Sequence, residues 1–273
     1  MRRYLLPASF VPDLSSRDAT GRISLAGQEY HYLVHVLRYS QGDRFEAIDR
    51  QGRLYLAEII QLNAASLELA LQPIENADPS TVMTPEYYLY QALLKGKKME
   101  NVLRQAAAAG IHHIIPLQSE HAVVKLENTQ REEKKLSRWD AVTKEAIQQS
   151  GSSVITRIHP TTTLPEVEKK WSSSTLGLFF HELPLENGSL HRYLSSCPQK
   201  VALFIGPEGG FSPKEVELLC GLGCRPVHLH TNILRAETAA IYAIGAVQTI
   251  VGEKNQWKPV LQSPEKTDTA ASQ

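Results

Sequence analysis

The sequence predicts an α/β protein in which a small β-rich domain precedes a domain built on a parallel sheet. Residues 1–72 contain short runs in which apolar and polar residues alternate, whereas strand and helix patterns alternate beyond residue 85. Alternating strands and helices are typical of a parallel sheet that is covered on both faces. Residues 73–85 are rich in Pro, Asn, Ser and Thr and predict a linker. Residues 86–257 form the predicted second domain.

The first domain is predicted to contain four short strands, at residues 22–25, 44–49, 52–60 and 66–71. Asp49-Arg50-Gln51-Gly52 forms the hairpin turn between the second and the third. Residues 27–38 predict a short amphipathic helix, because their apolar residues fall on one helical face: Tyr30, Leu33, Val34 and Leu37.

The second domain begins with a predicted strand at residues 87–94, and further strands follow at residues 111–117 and 175–180. Helices are predicted at residues 97–109 and 127–149. Residues 258–273 lack apolar periodicity and are predicted to be disordered.

The stretch from Val201 to Gly252 organises this domain. The apolar run Val201–Ile205 predicts a buried strand, and it ends at Gly206-Pro207-Glu208-Gly209-Gly210. Glycine lets backbone amides approach a ligand closely. A helix is predicted next, because Ser212, Pro213 and Glu215 form a capping box with Pro at the first helical position.

A second strand is predicted at residues 226–230, followed by a polar loop at residues 231–238 and an apolar helix from Ala239. Two loops therefore leave the carboxyl edge of the predicted sheet, where open parallel sheets bind ligands. From these residues alone, an ordinary connection with glycine chosen for turn geometry remains the alternative.

The composition excludes several classes of protein. Lys and Arg total 29 and Asp and Glu total 29, so any nucleic-acid contact must come from a local patch. The sequence has neither an apolar run long enough to span a membrane nor the pattern of a signal peptide, and a cytoplasmic protein is expected. The spacing of Cys220, Cys224, His228 and His230 matches no standard zinc finger, and no metal is predicted.

Residues 206–211 together with residues 233–239 resemble the signature of the SPOUT class of RNA methyltransferases, and specifically the RsmE family. The resemblance extends over nearly the whole chain. It implies a trefoil-knotted parallel-sheet domain, and residues 31–38 are similar to a helix of the PUA-like β-barrel that opens these proteins. It also implies a homodimer, and methylation of N3 of a uridine in 16S ribosomal RNA, either free or within the assembled small subunit.

S-adenosylmethionine is the cofactor that this resemblance implies. In the family it lies among three loops, which correspond here to residues 180–182, 206–210 and 229–239. The expected cofactor-binding residues are Phe180, His181, Ile205, Gly206, Pro207, Glu208, Gly209, Leu229, Ile233, Leu234, Thr238 and Ala239.

Two residues are predicted to serve the reaction itself. Arg235 could hold a phosphate, or it could stabilise negative charge that develops on the uracil carbonyl oxygens. Glu208 is a candidate base, whereas Glu237 is interpreted as a structural cap at a helix start. Five arginines of the first domain are candidates for RNA phosphate contacts, with a solvated charged surface as the alternative: Arg2, Arg3, Arg22, Arg38 and Arg44.

Some polar positions depart from the family pattern. Ala108 stands where an acid is usual, His121 and Ser152 stand where arginines are usual, and His230 replaces a glycine beside the expected pocket. A neutral His and a Ser cannot replace bidentate arginine donors. Two alternatives therefore remain: a related enzyme with another RNA target, or a non-catalytic RNA-binding assembly factor. Nucleotide hydrolysis is disfavoured, because the glycine loop lacks the ending of a P-loop.

Overall fold

The computed structural model describes residues 3–10, 21–74, 85–125, 129–185, 188–196, 198–229 and 231–254. Most of the predicted linker, the predicted tail at residues 258–273, Arg2 and His230 lie outside these ranges. The proposed division into domains at residues 73–85 therefore stays a prediction.

The first part of the chain forms a five-stranded sheet with the order β1-β3-β4-β5-β2. Only β1 runs parallel to its neighbour, β3, and the other neighbours are antiparallel. Alternation along the strands buries one face around Leu67, Leu69 and Leu71. The strands are β1 (Tyr4–Leu5), β2 (Gly21–Ala26), β3 (Arg44–Ile48), β4 (Leu54–Leu62) and β5 (Ser66–Pro73).

A helix crosses this sheet between β2 and β3, as the sequence predicts. It consists of α1 (Gly27–His31), which continues into a π-helical turn at Tyr32–Val36. Leu33 is fully buried. Arg38 ends the helix with a φ of 60°, the left-handed region that side chains other than glycine rarely adopt.

The second part of the chain forms a seven-stranded parallel sheet with the order β12-β10-β11-β6-β7-β8, and β9 pairs with β7. The α/β fold, with a β-rich unit before a parallel sheet, is confirmed. The trefoil knot stays a prediction. The strands are β6 (Glu86–Ala92), β7 (His113–Gln118), β8 (Arg157–Ile158), β9 (Thr162–Thr163), β10 (Thr175–Phe180), β11 (Lys200–Ile205) and β12 (Arg225–Val227).

Helices cover both faces of the parallel sheet. On one face, α2 and α7 pack over Leu89, Leu203 and Ile205, while α4 and α6 pack over Phe179 and Phe204 on the other. This two-sided burial explains why the strands read as apolar runs. The helices are α2 (Lys97–Ala108), α3 (Thr129–Ser150), α4 (Leu164–Lys170), α5 (Leu190–Tyr193), α6 (Pro213–Gly221) and α7 (Ala236–Lys254).

The strand predicted at residues 226–230 is shorter than expected. Pairing with β10 ends at Val227, whose carbonyl oxygen accepts the backbone N–H of His181. The chain then turns away from the sheet, so that Leu229 lines a cavity instead of continuing a strand. An apolar residue in a pocket wall and one in a buried strand give the same sequence signal, which is the reason for the error.

Polar contacts join the two sheets through β1 and α3. Glu29 accepts a hydrogen bond of 2.6 Å from Tyr4 Oη and lies 2.7 Å from Lys144 Nζ. The guanidinium of Arg3 lies 2.8 Å from Glu46 and donates at 2.6 Å to the carbonyl oxygen of Gly151. Burial, followed by the hydrogen bond to Glu29, raises the pKa of Tyr4. Tyr4 therefore remains a neutral donor at this junction.

Candidate functional site

A cavity of about 370 Å³ opens at the carboxyl edge of the parallel sheet, where the loops after β10, β11 and β12 meet. Its volume falls within the range of roughly 300–1,000 Å³ that small-molecule sites occupy. Its lining consists of Phe180, His181, Glu182, Ile205, Gly206, Pro207, Glu208, Gly209, Gly210, Phe211, His228, Leu229, Thr231, Asn232, Ile233, Leu234, Arg235, Ala236 and Ala239.

The structure brings the three predicted loops together around this cavity. Of the residues expected to bind the cofactor, Thr238 alone is absent from the lining. Thr238 lies in the first turn of α7 and is exposed. The other eleven expected residues, and Arg235, line the cavity.

The glycine loop after β11 folds back tightly on itself. The backbone N–H of Gly210 donates to the carbonyl oxygen of Pro207 at 2.9 Å, and Gly210 has a φ of 70°. A Cβ on Gly206 would lie 3.3 Å from the backbone carbon of Gly210 and 3.3 Å from the backbone nitrogen of Phe211. A side chain at Gly206 would therefore require the loop to shift by a few tenths of an ångström, and the loop as it stands presents main-chain groups to the cavity.

The C-terminal end of the glycine loop is held by the start of α6. Ser212 and Glu215 form the predicted capping box. Glu215 does more than cap the helix, because it also accepts hydrogen bonds from Ser119 Oγ at 3.1 Å and from the backbone N–H of Glu120 at 3.0 Å. His121 Nδ1 lies 3.2 Å from the carbonyl oxygen of Gly209. The loop after β7 thus supports the glycine loop.

An ion pair that the sequence did not predict joins the glycine loop to α2. Lys98 Nζ donates to Glu208 Oε1 at 2.8 Å and lies 3.6 Å from Glu237 Oε2. The hydrogen bond from Lys98 is the main cause that lowers the pKa of Glu208. The basic run at Lys95, Lys97 and Lys98, directly after a predicted strand, was the signal in the sequence.

The mouth of the cavity is formed by the loop before α7. Ile233 is 86% exposed, although it is large and apolar, and Arg235 beside it is also exposed. The lining therefore combines apolar side chains, main-chain groups and the charged residues Glu182, Glu208 and Arg235. Such a surface suits a ligand with an aromatic part and a charged part.

The candidate RNA-contacting arginines fall into two groups. Arg3 and Arg44 each pair with a carboxylate, those of Glu46 and Glu58. Arg22 and Arg38 are exposed. Arg38 is the one non-glycine residue of the described ranges with a positive φ.

The positions that depart from the family pattern are also separated in space. Ala108 is exposed in the last turn of α2, and Ser152 exchanges hydrogen bonds with the backbone of Val154. Of the three such positions within the described residues, His121 alone contacts the glycine loop. His230 lies outside the described residues.

Two absences hold within the described ranges. No group of three or more potential metal ligands comes together there. No described helix is long and apolar enough to cross a membrane.

Comparisons with protein families match both parts of the chain. Residues 82–248 match a model described as an RNA methyltransferase domain, and residues 25–72 match one described as an RNA methyltransferase PUA domain. The first match covers more than half of the chain.

Two relatives carry the same name, ribosomal RNA small subunit methyltransferase E. The protein from Rickettsia conorii is 31% identical over 241 residues, which cover 87% of this chain and 94% of the relative. The protein from Bacillus subtilis is 29% identical over 236 residues, with coverages of 82% and 88%.

Solved structures show the same fold. A methyltransferase from Legionella pneumophila, in complex with the bound cofactor S-adenosylmethionine, superposes with a TM-score of 0.75 at 26% identity and covers 90% of this chain and 96% of that one. A ribosomal RNA small subunit methyltransferase E from Neisseria gonorrhoeae superposes with a TM-score of 0.75 at 24% identity, covering 92% of this chain and 98% of its own.

Proposed function

This chain belongs to the ribosomal RNA small subunit methyltransferase E family, and from that membership we propose that it methylates N3 of a uridine in 16S ribosomal RNA. S-adenosylmethionine supplies an activated methyl group to such a reaction. The observation that carries the proposal is the cavity at the carboxyl edge, which unites the three loops expected to bind this cofactor.

The cavity fits the proposed cofactor in size and in chemistry. Ile205, Leu229 and Leu234 offer apolar walls to an adenine ring, and the glycine loop offers backbone donors and acceptors at close range. The carboxylates of Glu182 and Glu208 suit a ligand that carries a cationic sulfonium and ammonium.

Arg235 is the residue that we assign to the uracil. N3 of uridine is protonated at neutral pH, so methyl transfer requires loss of that proton and places negative charge on the base. An exposed guanidinium at the mouth of the cavity can stabilise this charge at the carbonyl oxygens. The pKa of Glu208 is lowered by Lys98, which makes this carboxylate a weaker base and favours a role in holding the loop or the cofactor.

The test is methyl transfer to small ribosomal subunits that lack the modification, with mass spectrometry of the nucleosides as the readout. Wild-type protein should form N3-methyluridine. Arg235→Ala should lower kcat by about 100-fold or more, while its affinity for S-adenosylmethionine stays within about twofold. Arg235→Lys serves as the matched variant that keeps the charge. Wild-type protein that binds the cofactor but modifies no RNA would contradict the proposal.

A different RNA target is the second candidate function, and His121 is the observation that favours it. In place of the usual arginine, His121 contacts the backbone of the glycine loop. The same mass spectrometry on total RNA distinguishes the two candidates, because another target would give a methylated nucleoside outside the 16S fraction. Cofactor binding without transfer to any RNA would instead support the non-catalytic assembly factor.

The exposed arginines of the first sheet supply the proposed RNA contact. Arg22 and Arg38 are available to phosphates, whereas Arg3 is held at the junction with α3. Arg22→Ala and Arg38→Ala should raise KM for the ribosomal subunit without changing the affinity for S-adenosylmethionine. An unchanged KM in both variants would remove this assignment.

We further propose that the protein acts as a homodimer in the cytoplasm, where assembling ribosomal subunits reside. On α7, Tyr242 is 49% exposed and shares an outward face with Thr238, Gly245 and Thr249. The family resemblance implies the dimer, and we assign the contact between protomers to this face because tyrosine is enriched in protein interfaces. Sedimentation analysis should give a dimer for the wild type and a monomer for Tyr242→Glu, and a wild-type monomer would contradict the proposal.

A further inference from the structure

We propose that Lys98 is a positioning residue of the cofactor cavity, because it ties the glycine loop to the start of α7. This inference rests on the proposed function and adds a residue to its site. Glu208 belongs to the glycine loop, and Glu237 belongs to the first turn of α7. These two segments line the cavity, and Lys98 on α2 contacts a carboxylate from each.

Two distances define how Lys98 connects the glycine loop to α7, and we call this connection the tether. Lys98 Nζ lies 2.8 Å from Glu208 Oε1 and 3.6 Å from Glu237 Oε2. Glu237 is only 19% exposed, and its Oε2 atom is buried without a hydrogen-bond partner within the described residues. The charge of Lys98 is therefore the nearby compensation for that buried oxygen.

The position of Lys98 is fixed by its own helix. Gly96 precedes α2 with a φ of 64°, which sets the direction in which the helix starts. Met99 is buried in the core between α2 and α7, so the first turn of α2 cannot rotate freely. Lys98 consequently presents its ammonium to the two carboxylates from a rigid element.

Removal of Lys98 leaves two carboxylates that repel each other across the cavity wall. The glycine loop remains attached to the loop after β7 through Glu215 and His121. It loses its attachment to α7, so we expect the cavity to widen on that side. Lys98 does not itself line the cavity, and it acts on the cofactor through Glu208 and Glu237.

The experiment measures S-adenosylmethionine binding by calorimetry for Lys98→Met, together with its Tm. We expect the Kd to rise by about five- to tenfold. Methyl transfer at saturating cofactor should keep its kcat within about twofold, because the tether does not touch the reacting atoms. Lys98→Arg keeps the charge and two-sided contact and should stay near the wild-type Kd.

Lys97→Met is the matched control. Lys97 lies in the same helical turn, is exposed and carries the same charge. Its removal should leave the Kd unchanged. Equal weakening by Lys97→Met and Lys98→Met would indicate a general electrostatic field and would overturn the inference.

A double variant tests the connection directly. If Lys98 acts through Glu208, then adding Glu208→Gln to Lys98→Met should cost much less affinity than Glu208→Gln costs in the wild type. Strict additivity would overturn the inference. Lys98→Gln, a milder change, serves the same comparison if Lys98→Met does not fold.

The outcomes separate this inference from the proposed function. Wild-type protein that fails to bind S-adenosylmethionine would refute the proposed cofactor site itself. Wild-type protein that binds, with a Lys98→Met variant that binds equally well, would refute only the role of Lys98.

Discussion

The two edges of the parallel sheet differ in how their polar groups are used. At the carboxyl edge, glycine turns and exposed side chains surround an open cavity. At the amino edge, polar side chains at the first residues of β6, β7 and β11 satisfy one another. The cluster there consists of Glu86, Tyr88, His113, His159 and Lys200, and we call it the amino-edge cluster.

The amino-edge cluster forms a continuous chain of contacts. Glu86 Oε1 lies 2.9 Å from His113 Nε2, and His113 Nδ1 lies 2.8 Å from His159 Nε2. Lys200 Nζ lies 3.4 Å from the other oxygen of Glu86. The ring of Tyr88 stacks on that of His113, with centroids 4.5 Å apart.

The pKa of Glu86 reflects these contacts. Burial alone would raise it, but the hydrogen bonds from His113, Tyr88 and Lys200 lower the pKa of Glu86 overall. An ionised Glu86 only accepts, so His113 donates to it from Nε2, and a second hydrogen bond joins His113 Nδ1 to His159 Nε2. The polar side chains of the amino-edge cluster form hydrogen bonds or ion pairs with one another, whereas side chains at the carboxyl edge face the cavity, where a ligand can bind. A dense group of titratable residues is therefore not by itself a sign of a reactive site.

The largest effect that separates the two edges is expected from Gly206→Ala. The new Cβ would lie 3.3 Å from the backbone of Gly210 and Phe211, so the glycine loop must shift. We expect S-adenosylmethionine affinity to fall by about tenfold or more, since a displaced loop loses its main-chain contacts. Calorimetry measures this loss, and the Tm should change little because the loop lies outside the buried strand.

Gly221→Ala is the control for Gly206→Ala. A Cβ on Gly221, in the last turn of α6, meets no atom within 4 Å. This variant should bind the cofactor like the wild type. Equal affinities for all three proteins would show that the tight turn at Gly206 is not part of the binding site.

Local features of the carboxyl edge could be predicted from the sequence. The strand that ends at Ile205, the tight turn at Gly206 and the capping box of α6 all depend on residues within a few positions of one another. Alternation and cap residues report such short-range structure directly. For this reason the loops at residues 206–210 and 231–238 could be predicted from the residues alone, whereas the loop at residues 180–182 was implied only by the family resemblance.

Long-range pairings could not be predicted in the same way. Lys98 and Glu208 are 110 residues apart, and His113 and His159 are 46 residues apart. No local pattern connects such residues, because their meeting depends on strand order. Arg3 illustrates the same limit: it reads as a free basic residue near the start of the chain, yet its guanidinium donates to Gly151 across the junction between the sheets.

An effect of intermediate size is expected from His113→Phe at the amino edge. This variant should lose stability and keep cofactor affinity, whereas Gly206→Ala should do the reverse. Phenylalanine keeps the stacking on Tyr88 but removes both hydrogen bonds, so Glu86 and His159 lose a partner at a site where His113 is 14% exposed. We expect the free energy of unfolding to fall by about 1–2 kcal/mol. Denaturant titration measures the loss.

Cofactor affinity provides the discriminating readout for His113→Phe. The variant should bind S-adenosylmethionine within about twofold of the wild type, because the amino-edge cluster lies at the opposite edge of the sheet from the cavity. A variant with wild-type stability and weakened binding would reverse the assignment of the two edges.

The smallest expected effect is a loss of stability at mildly acidic pH. Burial, then the charges of His113 and Arg157, lower the pKa of His159, and burial is also the main cause that lowers the pKa of His112. The unfolded chain therefore binds more protons than the folded protein as the pH falls below about 6.5, and stability must fall with it. Glu86 stays ionised in this range, because its pKa is lowered from that of an ordinary carboxyl.

His159→Gln tests the origin of this pH dependence, because the amide can still form a hydrogen bond with His113 Nδ1 but cannot be protonated. Between pH 7.5 and pH 5.5 the Tm of the wild type should fall more steeply than that of the variant, whereas the two curves should run parallel above pH 7.5. Parallel curves over the whole range would assign the acid sensitivity to other groups. S-adenosylmethionine affinity at pH 7.5 should be the same in both proteins, since the amino-edge cluster contributes to stability alone and the cavity contributes to binding.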